Sequence, residues 1–323
     1  MLVRIIKNWG WPDLRRQTPG GSGRWGDIDF TLESVDACDY VVVLNGVKTK
    51  VTVRCPSEHV WAVIQEPAVR CHLALHKGLP AFHRIYTSDP RLTGARYVHS
   101  QPALPWFVNQ SFDQLLTCPP PEKNRDLAWV TSDNRALPGH RKRMEFLANM
   151  QKHVEFDLFG RGFHFLEDKW DGVAPYRYSL AIENHSGPDY WTEKLSDCFL
   201  AWSMPIYYGC TNIETYFPPE SMVRIDITRP DVVDQIRQAI SSDLWRKRQD
   251  AIAEARRLIL TEYQLFPFLA REIRAQQAKG PVEGSGRSAV VLRPRRRNLL
   301  ASLGRKAFRF LKSATRIVPM DKA

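Results

Sequence analysis

The stretch Tyr176-Arg177-Tyr178-Ser179-Leu180-Ala181-Ile182-Glu183-Asn184-His185-Ser186-Gly187-Pro188-Asp189-Tyr190-Trp191-Thr192-Glu193-Lys194 decides the fold class. An apolar run, Tyr178–Ile182, stops at Glu183-Asn184, and a Ser186-Gly187-Pro188 turn follows. Residues 189–203 then read as a helix that starts at Asp189–Thr192, followed by strands at Pro205–Tyr208 and Val223–Ile227. Strand–helix–strand alternation predicts a parallel sheet with helices on its faces. The start of such a helix presents unpaired N–H groups and the positive end of its dipole, a natural seat for a diphosphate. Glu193 could accept hydrogen bonds from ribose hydroxyls and Lys194 could neutralise phosphate. The same spacing also suits an ordinary capped helix with a surface Glu-Lys pair.

Upstream, Leu127–Val130 reads as a strand, residues 141–152 as a helix with Met144, Leu147 and Met150 apolar, and Val154–Phe159 as a strand ending at Gly160. Before the Cys118-Pro119-Pro120-Pro121-Glu122 connector come short β-branched runs at Leu2–Ile6, Tyr40–Leu44, Val51–Val53, Val60–Ile64 and Arg84–Tyr86. These readings divide the chain into domains at 1–122 and 123–279, with a tail at 280–323. Residues 231–277 continue at helical spacing, and Pro267 is expected to break or kink them.

Charge separates the tail from the body. The 323 residues carry a net +11, but 281–323 hold eleven Lys/Arg against Glu283 and Asp321. A basic tail on a nearly neutral body points to an anionic surface as the partner of the tail alone. Gly280, Gly284 and Gly286 predict a flexible hinge before it. Leu300, Leu303, Leu311 and Val318 fall opposite Arg305, Arg309, Lys312 and Arg316, so residues 287–323 are expected to hold a basic amphipathic helix for an anionic membrane. A mean hydropathy of −0.37 argues against a polytopic membrane protein. The longest uncharged stretch, Cys198–Ile213, falls short of a span. The six cysteines contain no Cys-x-x-Cys pair, and free thiols are expected.

Three motif matches are decoys by context. Gly21-x-Gly23-x-x-Gly26 lacks the strand before and the helix after that a dinucleotide fingerprint needs. Asp27-x-Asp29 has no nucleotide-binding unit ahead of it. His72 and His76 have no obvious third metal ligand.

The 176–227 segment resembles the signature of the α-1,3/4-fucosyltransferases, glycosyltransferase family 10. The carriers are Glu183-Asn184, then Tyr190-Trp191-Thr192-Glu193-Lys194, Pro205-Ile206-Tyr207-Tyr208-Gly209, and Phe217-Pro218-Pro219. Looser similarity runs through Ser132-Asp133-Asn134, Arg143 and Phe156–Gly160. The chain departs from the pattern at Ile182 and in its Trp-rich start. The resemblance implies a GT-B fold, two facing Rossmann-like domains with the active site in the cleft. It further implies inverting transfer of L-fucose from GDP-β-L-fucose to a glycan hydroxyl. Arg143 (with Arg141 as a rival) and Lys194 would neutralise the GDP diphosphate, Glu193 would hold the ribose, and Asn184 and Tyr190 would line the donor pocket. Glu66, in Gln65-Glu66-Pro67 at the end of a strand, would be the general base. No metal or other cofactor is required. The expected setting is a bacterial cytoplasmic enzyme held peripherally on the inner face of the cell membrane. Alternatives are the same fold with another nucleotide-sugar donor, or a nucleic-acid binder using its Arg-rich tail. The neutral body counts against the latter, and no nucleic-acid partner is expected.

Overall fold

Val41, Val42 and Val43 are wholly buried, as expected of a β-branched run with helices or loops on both sides. A computed structural model of the chain describes residues 1–280 and 286–295. In chain order the first half carries strands β1 (Leu2–Ile6), β2 (Arg24–Trp25), β3 (Ile28–Thr31), β4 (Tyr40–Leu44), β5 (Val51–Cys55), β6 (Val60–Val63), β7 (Arg84–Thr87) and β8 (Tyr97–His99). Seven of them form one sheet in the order β2-β3-β1-β4-β6-β7-β8. It is parallel throughout except for the β2–β3 hairpin. The helices of this half are α1 (Leu73–His76) and, on the way to the second half, α2 (Phe112–Thr117).

The second half holds β9 (Arg125–Val130), α3 (Pro138–Met150), β10 (Asp157–Phe159), β11 (Tyr176–Gly187), α4 (Glu193–Leu200), β12 (Met204–Cys210) and β13 (Val223–Arg224). Its sheet has the order β10-β9-β11-β12-β13 and every pairing is parallel. Then come α5 (Val232–Ser241), α6 (Leu244–Lys247), α7 (Gln249–Leu258), a π-helical turn at Ile259–Tyr263, and α8 (Leu265–Gln277). The α/β class and the two parallel sheets are thus as the sequence implies.

Packing draws the domains differently from 1–122, 123–279 and 280–323. Trp106, Val108, Phe112 and Leu115 already belong to the core of the second half, with Leu195 and Phe199 of α4. Conversely, α8 leaves that half and lays Phe266, Phe268, Leu269 and Ile273 against Val3, Tyr40, Trp61 and Tyr86 of the first sheet. An apolar stripe signals that a helix is covered, not which sheet covers it. The break expected at Pro267 falls at Gln264, whose backbone is extended; Pro267 sits in the first turn of α8, where no helical partner for its missing N–H is needed.

The tail is not wholly separable either. Ser288–Leu292 forms strand β14, antiparallel to β5. Val290 and Leu292 are buried beside Val53 and Cys55. Arg287 pairs with Asp39 at 2.6 Å. The amphipathic helix expected over 300–318 lies outside the described residues. No helix among those described is long and apolar enough to cross a membrane.

Candidate active site

Strand β11 delivers Glu183 and Asn184 to the end of the second sheet, where the chain must turn sharply to begin α4. Asp189 makes that turn in the left-handed region (φ 58°), which short polar side chains tolerate through local hydrogen bonds. Its Oδ1 accepts from Asn212 Nδ2 (2.8 Å) and from the Tyr216 hydroxyl (2.7 Å). Helix α4 therefore starts at Glu193, not at Asp189, and Thr192 is its cap, accepting from the Lys194 N–H.

Around that cap sits a buried charge cluster. One oxygen of Glu183 accepts from the Thr192 N–H (2.8 Å) and hydroxyl (2.7 Å). Lys194 Nζ lies 3.3 Å from Glu183 and 3.1 Å from Glu193. Burial works against the Lys194 ammonium, but Glu183 and Glu193 outweigh it and hold the pKa above the ordinary lysine value. Burial also raises Glu183, in spite of Lys194, whereas Lys194 and Lys169 overcome burial and hold Glu193 low. Glu183, which the sequence gives as a strand end and a carrier of the family resemblance but not as a site residue, thus organises the cluster. A lone Glu after an apolar run gives no further signal.

Arg143 enters from α3. It is buried, donates to the Ser132 carbonyl (3.2 Å), and leaves its Nε without a partner. Burial depresses its pKa, while Glu183 and Glu193 oppose this. The rival Arg141 is exposed and turns back to the Arg135 carbonyl. Helical phase, not spacing along the chain, distinguishes the two. Asn184 Nδ2 sits 2.9 Å from His140 Nε2, and its Oδ1 accepts from the Tyr190 hydroxyl at 3.3 Å. The α3 backbone comes so close to β11 that a Cβ on Gly139 would collide with the Asn184 carbonyl. His140, and Lys142 with its ammonium against the Tyr208 ring (5.5 Å to the centroid), were not singled out in the sequence.

Above this cluster opens a cleft of about 520 Å³, walled by Val69, Arg70 and Cys71 from the first half and by Lys142, Asn184 and Tyr208 from the second. A volume of that order suits a drug- or cofactor-sized ligand. Glu66 lies beyond the C-terminal end of β6, its side chain 47 % exposed and 3.9 Å from His72 Nδ1. It is near enough to Tyr190 that, after burial and with Glu183 and Glu193, its charge helps push the Tyr190 phenol well above its ordinary pKa. The structure therefore brings Arg143, Asn184, Tyr190, Glu193 and Lys194 together, with Glu66 facing them from the other half.

The glycine and aspartate decoys stay apart from this site, whereas His72 lies beside Glu66. Asp27 pairs with Arg274 and Asp29 with Arg24, both at 2.7 Å. The Gly21–Gly26 segment runs from the end of a 3-10 turn (Pro19–Gly21) through β2 to Gly26 in the turn of the β2–β3 hairpin. His76 is buried against Thr87. Among the described residues no group of His, Cys, Asp and Glu could hold a metal ion, and all six cysteines are free.

Residues 120–240 match the model of glycosyltransferase family 10 (fucosyltransferase), C-terminal part. A 4-galactosyl-N-acetylglucosaminide 3-alpha-L-fucosyltransferase of Pongo pygmaeus is 29 % identical over 127 residues, 38 % of this chain and 34 % of the relative. A 3-galactosyl-N-acetylglucosaminide 4-alpha-L-fucosyltransferase of Homo sapiens is 29 % identical over 109 residues, 32 % of this chain and 29 % of the relative. The chain thus spans about a third of the length of the curated relatives it matches. A crystal structure of an alpha1,3-fucosyltransferase with GDP-fucose aligns over 82 % of this chain and 92 % of that one, at 15 % identity and a TM-score of 0.46. Residues 120–240, the part of the chain similar to the C-terminal part of glycosyltransferase family 10, carry the Glu183–Lys194 cluster.

Proposed function

We propose that the protein transfers L-fucose from GDP-β-L-fucose to a glycan hydroxyl, with inversion at the anomeric carbon. The observation that carries this reading is the buried cluster of Lys194, Glu183, Glu193 and Arg143 at the start of α4, beside a cleft that Glu183 and Asn184 line, with Glu66 of the first half close enough to act on Tyr190. Glu66 takes the proton of the acceptor hydroxyl as its oxygen attacks C1 of fucose. The C1–O bond to GDP breaks, and the charge growing on the leaving phosphate is met by Lys194, Arg143 and the α4 N-terminus. Glu193 holds the ribose. Two cations and a helix start supply the positive charge, so transfer should persist in EDTA.

The names of the curated relatives favour an N-acetylglucosamine-type acceptor, joined through its 3- or 4-hydroxyl. The reading extends to a bacterial cytoplasmic enzyme held on the anionic inner face of the membrane by its basic C-terminal residues. Incubation with GDP-fucose tests the central claim. Slow release of GDP, faster on addition of a glycan acceptor, is expected. No GDP released under either condition would refute it, and preference for another nucleotide sugar would reassign the donor.

A further inference from the structure

Next to Glu66 the first half carries a second, smaller cavity of about 170 Å³, with walls from Trp9, Trp11, Phe107, Gln65 and Asn45. Glu66 lines this cavity and not the larger cleft. Trp11 is 55 % exposed, among the few large apolar side chains so placed among the described residues. It is nevertheless held: the Arg16 guanidinium lies 4.6 Å from the ring centroid, and Arg16 donates to the Val108 carbonyl at 2.9 Å. A cation over one face fixes the indole and leaves the other face to solvent. Trp9 is fixed in a similar way, by Lys7 at 4.4 Å and by its Nε1 donating to Gln65 Oε1 at 3.2 Å.

The floor is built with backbone strain. Asn45 (φ 65°) and Ala103 (φ 46°) both adopt the left-handed conformation. Asn45 Oδ1 accepts from the Gln65 N–H at 2.7 Å, and the Ala103 carbonyl accepts from the Gln65 amide. Two strained residues thus clamp the one that precedes Glu66. Such strain persists only where the surroundings over-determine it, and it gathers at ligand sites. Among the described residues no hydrogen bond holds the Asn45 amide nitrogen, which leaves a donor free at the cavity. The far wall belongs to the second half: the Phe107 N–H donates to Asp197 of α4 at 3.0 Å. The cavity is therefore fixed to the same helix whose start bears Glu193 and Lys194.

We propose that this cavity is the subsite for a pyranose ring of the acceptor, with the free face of Trp11 as its stacking platform and Asn45 and Gln65 as partners for sugar hydroxyls. An aromatic face with polar groups at its edge matches a pyranose, whose C–H face is apolar and whose rim is hydroxylated. A ring held there presents a hydroxyl to Glu66 and, beyond Glu66, to the larger cleft. The proposal rests on the fucosyltransferase reading, and the experiment separates the two. A glycan array that includes 4-galactosyl-N-acetylglucosaminides, probed with labelled GDP-fucose, supplies the acceptor for kinetics in solution. Trp11→Ala, at an exposed position that spares the core, is expected to raise the acceptor KM about tenfold or more. Its donor KM and its release of GDP without acceptor should match wild type, and Trp11→Phe should recover most of the loss. An acceptor KM within twofold of wild type in Trp11→Ala overturns the proposal. So does a wild-type protein that releases GDP from GDP-fucose yet labels no glycan. A wild-type protein that neither labels a glycan nor releases GDP overturns the fucosyltransferase reading and, with it, this subsite.

Discussion

Lys194 is shared between Glu183 and Glu193, and on the proposed reading a donor diphosphate draws the ammonium partly away from them. Arg143, with an unpartnered buried Nε, has capacity to spare. A charge-assisted hydrogen bond to phosphate is worth about 1.5–3 kcal/mol. Lys194→Ala and Arg143→Ala should therefore each weaken GDP binding by about tenfold or more in calorimetry, whereas Arg141→Ala, on the solvent face of α3, should leave it unchanged. Equal effects of the two arginines would refute the assignment by helical phase. With Glu66 as the proposed general base, Glu66→Gln should behave in the opposite way, cutting transfer about 100-fold while GDP affinity stays at the wild-type value, because a general base acts on the acceptor proton. Away from the cleft, Lys123 is buried, donates to the carbonyls of Ala174 and Ala201 at 2.7 Å, and has its pKa pulled by burial from 10.5 to about 7. Between those values the unfolded chain still binds the proton that the folded chain has released, so unfolding free energy rises with pH. Below pH 7 both states are charged and the cost of burying the ammonium is carried in full. Urea melts between pH 7 and pH 10 should show a shallower rise for Lys123→Met than for wild type; parallel curves would contradict the shift.

Strand β14 changes what a truncation removes. Val290 and Leu292 pack on β5, and burying two aliphatic side chains is worth about 1.5–3 kcal/mol each. A chain that ends at Lys279 should therefore melt measurably lower than the full chain, while one that ends at Arg295 should match it. Co-sedimentation with anionic vesicles, if residues 296–323 carry it, should be lost in both and should weaken with salt in the full chain. Which elements were legible follows from their physics. Leu2–Ile6, Tyr40–Leu44 and Tyr178–Ile182 announce themselves as apolar runs because both faces of a parallel sheet are covered. Ser288–Leu292 has the same character but follows three glycines and precedes an arginine run, so composition hides it. The start of α4 was read four residues early because Asp189 looks like a cap; its left-handed turn is set by Asn212 and Tyr216, far along the chain. Arg143, Asn184, Tyr190, Glu193 and Lys194 were legible as a motif. The roles of Glu183 and His140 emerge only from three-dimensional proximity.

At the scale of the whole molecule the chain passes between its two halves twice, and the passages are lashed together. Gln101 Nε2 donates to the Tyr263 carbonyl (2.8 Å), Gln264 Nε2 to the Gln17 carbonyl (3.2 Å), and Gln17 Nε2 to the Trp106 carbonyl (2.9 Å). Residues 1–105 alone should be insoluble, since Phe30, Trp61 and Tyr86 lose the cover of α8; joining residues 260–295 through a flexible linker should restore a soluble, cooperatively melting unit. Native-like melting of 1–105 by itself would contradict the packing described. The return of α8 also has a meaning during synthesis. Strand β8 leaves the ribosome some 160 residues ahead of α8, so at about 5–20 residues per second the first sheet waits roughly 10–30 s with one face bare. That interval makes the nascent chain, more than the finished protein, the species in need of a chaperone.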